Sequence, residues 1–276
     1  MQAYRGIQQA ISFSVKSLAR RIRIVQKKQD ITRVRFPPLC TIWYCGAILF
    51  YPAREDRGGV VLEMESNLQN AYRDAYHKAH LALSKFDPDQ VCMNTRAVFD
   101  PASHTYRTEY LYREIRFDLD TGRITSPGHP DPTTPEGVLI LHYLAGAASA
   151  HLAGKWISFR EIPGAGNIYY PAFEKRAVRP LVKTFDSAPS LLPRAARALG
   201  GEPGTLGHAS AVLHILPLVP VAYVVWQGDP EIPGSGTILF DSSISSFLPG
   251  EDAVLAASYG AYALIAASKN LKGAAS

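Results

Sequence analysis

A small set of residues has the types and neighbours that chemistry needs. Trp156-Ile-Ser-Phe-Arg160-Glu161 is followed closely by Asn167-Ile-Tyr-Tyr170 and Lys175-Arg176, the densest polar and aromatic stretch of the chain. An arginine grips a carboxylate or phosphate through parallel N–H bonds, and flanking aromatic rings stack a planar ligand. Trp226-Gln-Gly-Asp229 and Phe240-Asp241 each put a carboxylate just past an apolar run, where open sheets often build sites. Trp156, Arg160, Glu161, Tyr170, Trp226, Asp229 and Asp241 are therefore the candidate ligand-binding set, with no catalytic role and no metal assigned. Each also has a structural use. Arg160 and Glu161 suit a surface ion pair, Asp229 suits a turn, Asp241 can bond nearby amides, and Glu251-Asp252 suit a helix start.

The histidines weigh less. His77 and His80 lie three apart on a helical stretch, a spacing that suits a metal, but no third ligand accompanies them, so they read as solvated or partly packed. His142 sits in the apolar run Val138 to Leu144, where a buried imidazole must find a partner or lose its charge, and reads as a satisfied core residue. The chain has no phosphate-binding glycine loop ending in Lys-Ser/Thr, no Gly-x-Ser-x-Gly elbow and no His-Glu-x-x-His helix. Gly164-Ala-Gly166 reads as a turn.

The elements that must position these residues follow from periodicity. Asn67 to Phe86 has helical spacing and stops at Asp87-Pro88. Asn94 to Asp100 and Thr105 to Asp120 alternate as a small antiparallel meander, and a capped apolar helix runs from about Glu136 to Ala150. Trp156 to Glu161 reads as a strand, with Trp156, Ser158 and Arg160 on one face. Helices are expected over Pro171 to Phe185, Ser190 to Leu199 and Glu251 to Ala267, and strands over Ala211 to Ile215, Val219 to Trp226 and Thr237 to Phe240. Without strict strand–helix alternation, the pattern predicts one α+β domain with an antiparallel or mixed sheet and several packed helices.

The net charge of +5 invites a polyanionic partner, but it is unevenly placed. Residues 1–63 hold 11 lysines and arginines against 4 acidic residues, whereas residues 64–276 hold 18 against 20. The main domain therefore has no electrostatic claim on nucleic acid. Three cysteines, with only Cys92 in the main domain, exclude a disulfide framework and a self-contained four-cysteine cluster, and suit a reducing cytoplasm.

Residues 1–63 differ from the rest. A basic, helically spaced stretch from Gln8 to Lys28 precedes the apolar run Leu39 to Tyr51, which is shorter than the roughly 20 residues of a membrane span. A membrane-surface arm, a targeting segment and translated upstream sequence are the alternatives. We favour the last, with a domain over 64–276 that makes no membrane contact.

The series Ile140-Leu-His-Tyr-Leu144, Gly154-Lys-Trp-Ile-Ser-Phe-Arg-Glu161, Tyr170-Pro-Ala-Phe173, Leu216-Pro-Leu-Val-Pro-Val221, Trp226-Gln-Gly-Asp229, Ile238-Leu-Phe-Asp-Ser242 and Leu248-Pro-Gly-Glu-Asp252 resembles the prokaryotic DUF3786 family over about Asn67 to Ala267. The resemblance implies no defined activity. It implies a protein of anaerobes, some of whose relatives carry an added iron–sulfur domain similar to that of corrinoid iron–sulfur proteins, which this chain lacks. The leading expectation is a ligand- or cofactor-binding accessory protein working with an iron–sulfur or corrinoid partner. The alternatives are a hydrolase or transferase using Glu161, Asp229 and Asp241, and a non-catalytic interaction module.

Overall fold

In this computed structural model residues 58–148 and 151–273 are described, together with the antiparallel two-residue strands β1 (Cys40–Thr41) and β2 (Phe50–Tyr51). The basic stretch Gln8 to Lys28 and most of the apolar run lie outside the described residues. The chain divides into two units, Met1–Ala71 and Tyr72–Ser276. Helix α1 (Gly58–Leu83) contains the division point.

The second unit is α+β, and both of its sheets are antiparallel. A four-stranded meander is built from β3 (Val98–Asp100), β4 (Thr105–Tyr110), β5 (Arg113–Asp118) and β6 (Ile124–Thr125), in that order. Alternation decides its faces: Tyr106, Tyr110, Ile115 and Phe117 are fully buried, while Arg107, Glu109 and Arg116 face out. The five-stranded sheet has the order β7-β11-β10-β9-β8, from β7 (Trp156–Ser158), β8 (Glu202–Pro203), β9 (Ala209–Leu216), β10 (Val219–Trp226) and β11 (Ser235–Asp241). β9 and β10 are apolar on both faces because both faces are covered. The sheets meet at the β4–β5 turn, where Leu111 N–H donates to the Ile215 carbonyl and His214 N–H donates to the Tyr112 hydroxyl. Leu111 and Tyr112 both adopt left-handed backbone, φ 49° and 61°, in a two-residue turn that usually takes glycine or asparagine.

Helix α2 (Pro88–Thr95) departs from the sequence reading, which extended the meander back to Asn94. Asp87-Pro88 does more than stop α1. The Asp87 side chain accepts the Asp89 N–H and Pro88 takes the first helical position, so the pair opens a new helix. Helix α3 (Thr134–Gly146) starts with a capping box in which Glu136 accepts from the Thr133 amide and hydroxyl. Tyr143 in α3 donates to the Thr95 carbonyl and accepts from Leu218 N–H, which ties α3 to α2 and to the β9–β10 hairpin.

Gly166 opens a helix rather than closing a turn, and the helix begins five residues earlier than the expected Pro171. It runs as α4 (Gly166–Phe173), a π-turn (Glu174–Val178) and α5 (Arg179–Phe185). Pro171 lies inside α4, where it lacks the N–H to continue the ladder, and the widened turn follows directly. The π-turn buries Arg176. α6 (Leu191–Leu199) and α7 (Gly250–Gly273) complete the fold, and α5, α6 and α7 pack on the central strands. No described helix is long and apolar enough to cross a membrane.

Candidate functional site

The register of the five-stranded sheet divides the candidate residues into two groups. Asp241 pairs with Trp156 across β11 and β7, at one end of the sheet. Trp226 pairs with Ser235, at the other end of β10 and β11, and Asp229 lies in the loop beyond it. The candidate ligand-binding set therefore does not gather at one place: Trp226 and Asp229 lie at the opposite end of the sheet from Trp156 and Asp241. Strand geometry forces the separation, because β10 and β11 run antiparallel and their apolar runs are traversed before either carboxylate is reached.

At the Trp156 end, the strand stops earlier than expected. A 3-10 turn spans Phe159–Glu161, so Arg160 does not share a strand face with Trp156 and Ser158. The cause is Glu161, whose carboxylate accepts from the amide and hydroxyl of Ser158 at 2.7 Å and curls the chain back. These bonds, the Ser158 hydroxyl foremost, hold the Glu161 carboxyl below its ordinary range. Asp241 is buried and likewise occupied. It accepts from the amides of Ala153, Gly154 and Ser243 and from the Ser243 hydroxyl, and so pins the chain on both sides of the strand pair. Burial raises its pKa, but the four bonds outweigh burial and the net shift is downward. Asp229 accepts from Glu231 and Ile232 in its own turn, with its pKa lowered chiefly by the Ile232 amide. All three carboxylates thus serve backbone, and they do not converge.

Arg160 is different. Its guanidinium stands 3.8 Å from the centre of the Tyr170 ring, and no described carboxylate lies within ion-pairing distance. The stack is held from below by Gly166. A Cβ there would sit 2.1 Å from the Arg160 carbonyl oxygen, so only glycine allows α4 to start against the 3-10 turn. Tyr170 rests on Phe173, which stacks on Phe159 at 4.3 Å. Trp156 remains 39% exposed at the edge of the sheet, and Arg160 and Lys155 are exposed beside it in the chain. Arg160 thus lies over the Tyr170 ring and is exposed, with guanidinium N–H groups to offer an anion.

A second constellation lies at the start of α7. The imidazole Nδ1 of His142 is 2.6 Å from Asp252 Oδ2; the carboxylate only accepts, so Nδ1 carries the proton. Both side chains are at least nine-tenths buried, and among the described residues Nε2 has no hydrogen-bond partner. Burial lowers the His142 pKa, but Asp252 and Glu251 outweigh it and the net shift is upward. Glu251 accepts the Tyr169 hydroxyl, next to Tyr170 in α4. The residues of this pair were visible in the sequence, but their partnership across 110 positions was not. His77 is exposed and His80 bonds the Leu119 carbonyl at 2.7 Å, which makes His80 a brace for the meander. No group of three or more described His, Cys, Asp or Glu side chains is arranged to hold a metal ion.

The family profile described as a domain of unknown function (DUF3786) matches residues 87–263, and the chain belongs to that family. The match spans both sheets and both constellations. No curated protein and no solved structure matches the chain.

Proposed function

We propose that this chain is a ligand- or cofactor-binding accessory protein whose recognition surface is the Arg160–Tyr170 stack with Trp156 beside it. The observation that carries the reading is the unclaimed guanidinium: it is pre-oriented by an aromatic ring and has no described carboxylate to satisfy it. The chemistry suits a planar ligand with an anionic group, and a corrinoid carries both a flat ring and a phosphodiester. The setting that goes with this reading is the cytoplasm of an anaerobic prokaryote, with an iron–sulfur or corrinoid protein as the partner. Hydrolase or transferase chemistry through Glu161, Asp229 and Asp241 has less support, since each carboxylate is spent on local amides.

The test is a titration of anaerobically purified protein with hydroxocobalamin, followed by absorbance. A saturable spectral shift is expected, with affinity reduced about ten-fold or more in Arg160→Gln, the effect of losing a charge-assisted bond. A colourless protein that leaves the corrinoid spectrum unchanged removes this reading.

A second reading, contact with a protein partner, is supported at the other end of the sheet. Trp226, Leu206 and Ile232 are exposed there, at 39%, 40% and 65%. The 206–208 and 227–234 segments meet at Trp226, where the Gln227 amide donates to His208 Nδ1. Exposed aromatic and aliphatic side chains of this kind anchor interfaces. Co-purification with a corrinoid iron–sulfur protein, lost in Ile232→Ser but retained in Arg160→Gln, would assign the partner to this end.

A further inference from the structure

The first turn of α7 carries adjacent carboxylates, each gripped from a different helix: Asp252 by His142 of α3 and Glu251 by Tyr169 of α4. One grip can gain or lose a proton near neutral pH. We propose that the start of α7 is held by a proton-dependent clasp, in which His142 binds α3 to Asp252 more firmly when its imidazole is charged than when it is neutral.

Three observations support it. The Nδ1–Oδ2 contact is 2.6 Å and buried, so water does not screen it. The groups facing the imidazole from α7 are both acidic, Asp252 and Glu251; α4 adds the neutral Tyr169 phenol on Glu251. From α2, which also packs on α3, the neighbours are neutral Asn94, bonded to the Ala147 carbonyl, and then Arg96, which acts on Tyr143 rather than on His142. Finally, Nε2 is sealed from solvent with no acceptor among the described residues, which works against the charged form, so that form depends wholly on the carboxylates of the clasp. When the start of α7 separates from α3, the imidazole returns to water and its ordinary pKa of about 6.5. The closed form therefore binds the proton more tightly than the open form. The stabilisation is fully present below the open-form pKa and is lost as pH rises through the raised closed-form value. Tyr170 adjoins Tyr169, which places the clasp one residue from the Arg160 stack, yet the device needs no ligand to operate.

The experiment is NMR on the full chain from about pH 6 to about pH 9. It follows the His142 ring protons and the amide exchange protection factors of residues 253–256. The expected His142 midpoint lies above 6.5, and protection of residues 253–256 falls over the same interval. The factor lost equals ten raised to the difference between the closed and open midpoints. His142→Gln flattens the pH dependence, and Asp252→Asn, close to isosteric, moves the His142 midpoint below its wild-type position. Protection in the wild type that stays constant across the His142 titration overturns the proposal, as does a His142 midpoint at or below 6.5. The wild-type measurement decides even if a variant does not fold.

Discussion

Trp226 and Asp241 close opposite ends of one antiparallel strand pair: Trp226 sits across from Ser235, while Asp241 sits beside Trp156. Six strand positions separate their levels in the sheet, about 20 Å at the rise of an extended chain. No single small ligand touches both. Trp226→Ala is therefore expected to leave the hydroxocobalamin titration unchanged, whereas Trp156→Ala weakens it. Equal losses in the two variants would contradict the division of the candidate residues into two groups.

Asp241 is a structural carboxylate, and its removal acts on stability. Asp241→Ala strands the amides of Ala153, Gly154 and Ser243 and is expected to cost about 3 kcal/mol, read as a lowered urea midpoint. Because its folded pKa lies below the unfolded value, its contribution is complete above the unfolded pKa of about 3.9 and is lost as pH falls through the folded value. The difference in stability between wild type and Asp241→Asn should shrink on acidification below that point.

Gly166→Ala tests the support under Arg160. The new methyl would lie 2.1 Å from the Arg160 carbonyl oxygen, so α4 or the 3-10 turn must move, at about 1–3 kcal/mol. Thermal unfolding and the hydroxocobalamin affinity should both decline. Gly273→Ala, exposed at the end of α7 with open space around it and no positive φ, is the control and should change stability by less than about 0.5 kcal/mol.

Tyr143→Phe removes one hydroxyl that serves two partners, the Thr95 carbonyl and the Leu218 amide, in the interior. The loss is expected to be about 1–3 kcal/mol by chemical denaturation, since both partners stay buried and unmatched. A neutral effect would mean that the α2–α3–hairpin junction relaxes enough to satisfy them otherwise.

Much of this architecture is written in local pattern. The alternation of Tyr106, Tyr110, Ile115 and Phe117, the apolar runs of β9 and β10, and the capping signal before α3 each depend on neighbours within a few positions, and each element formed, though α3 ends at Gly146 rather than at the expected Ala150, where Ala147 turns to extended backbone. The misreadings arose where one residue type serves two ends. Asp87-Pro88 both stops α1 and starts α2, and Pro171 resembles a helix start while lying inside α4. At Glu161, a side chain folding back on Ser158 broke a strand that hydropathy alone would extend.

What the sequence by itself determined is the α+β class, the small antiparallel meander and the identity of an arginine set among aromatics, because propensity, periodicity and capping act over short spans of chain. Only the tertiary structure decided which of those side chains are neighbours. Asp241 turned out to serve backbone, Arg160 found Tyr170 instead of a carboxylate, and His142 met Asp252 from 110 residues away. Such partnerships follow from how strands register and helices pack, and many sequences of the same local pattern would register and pack differently.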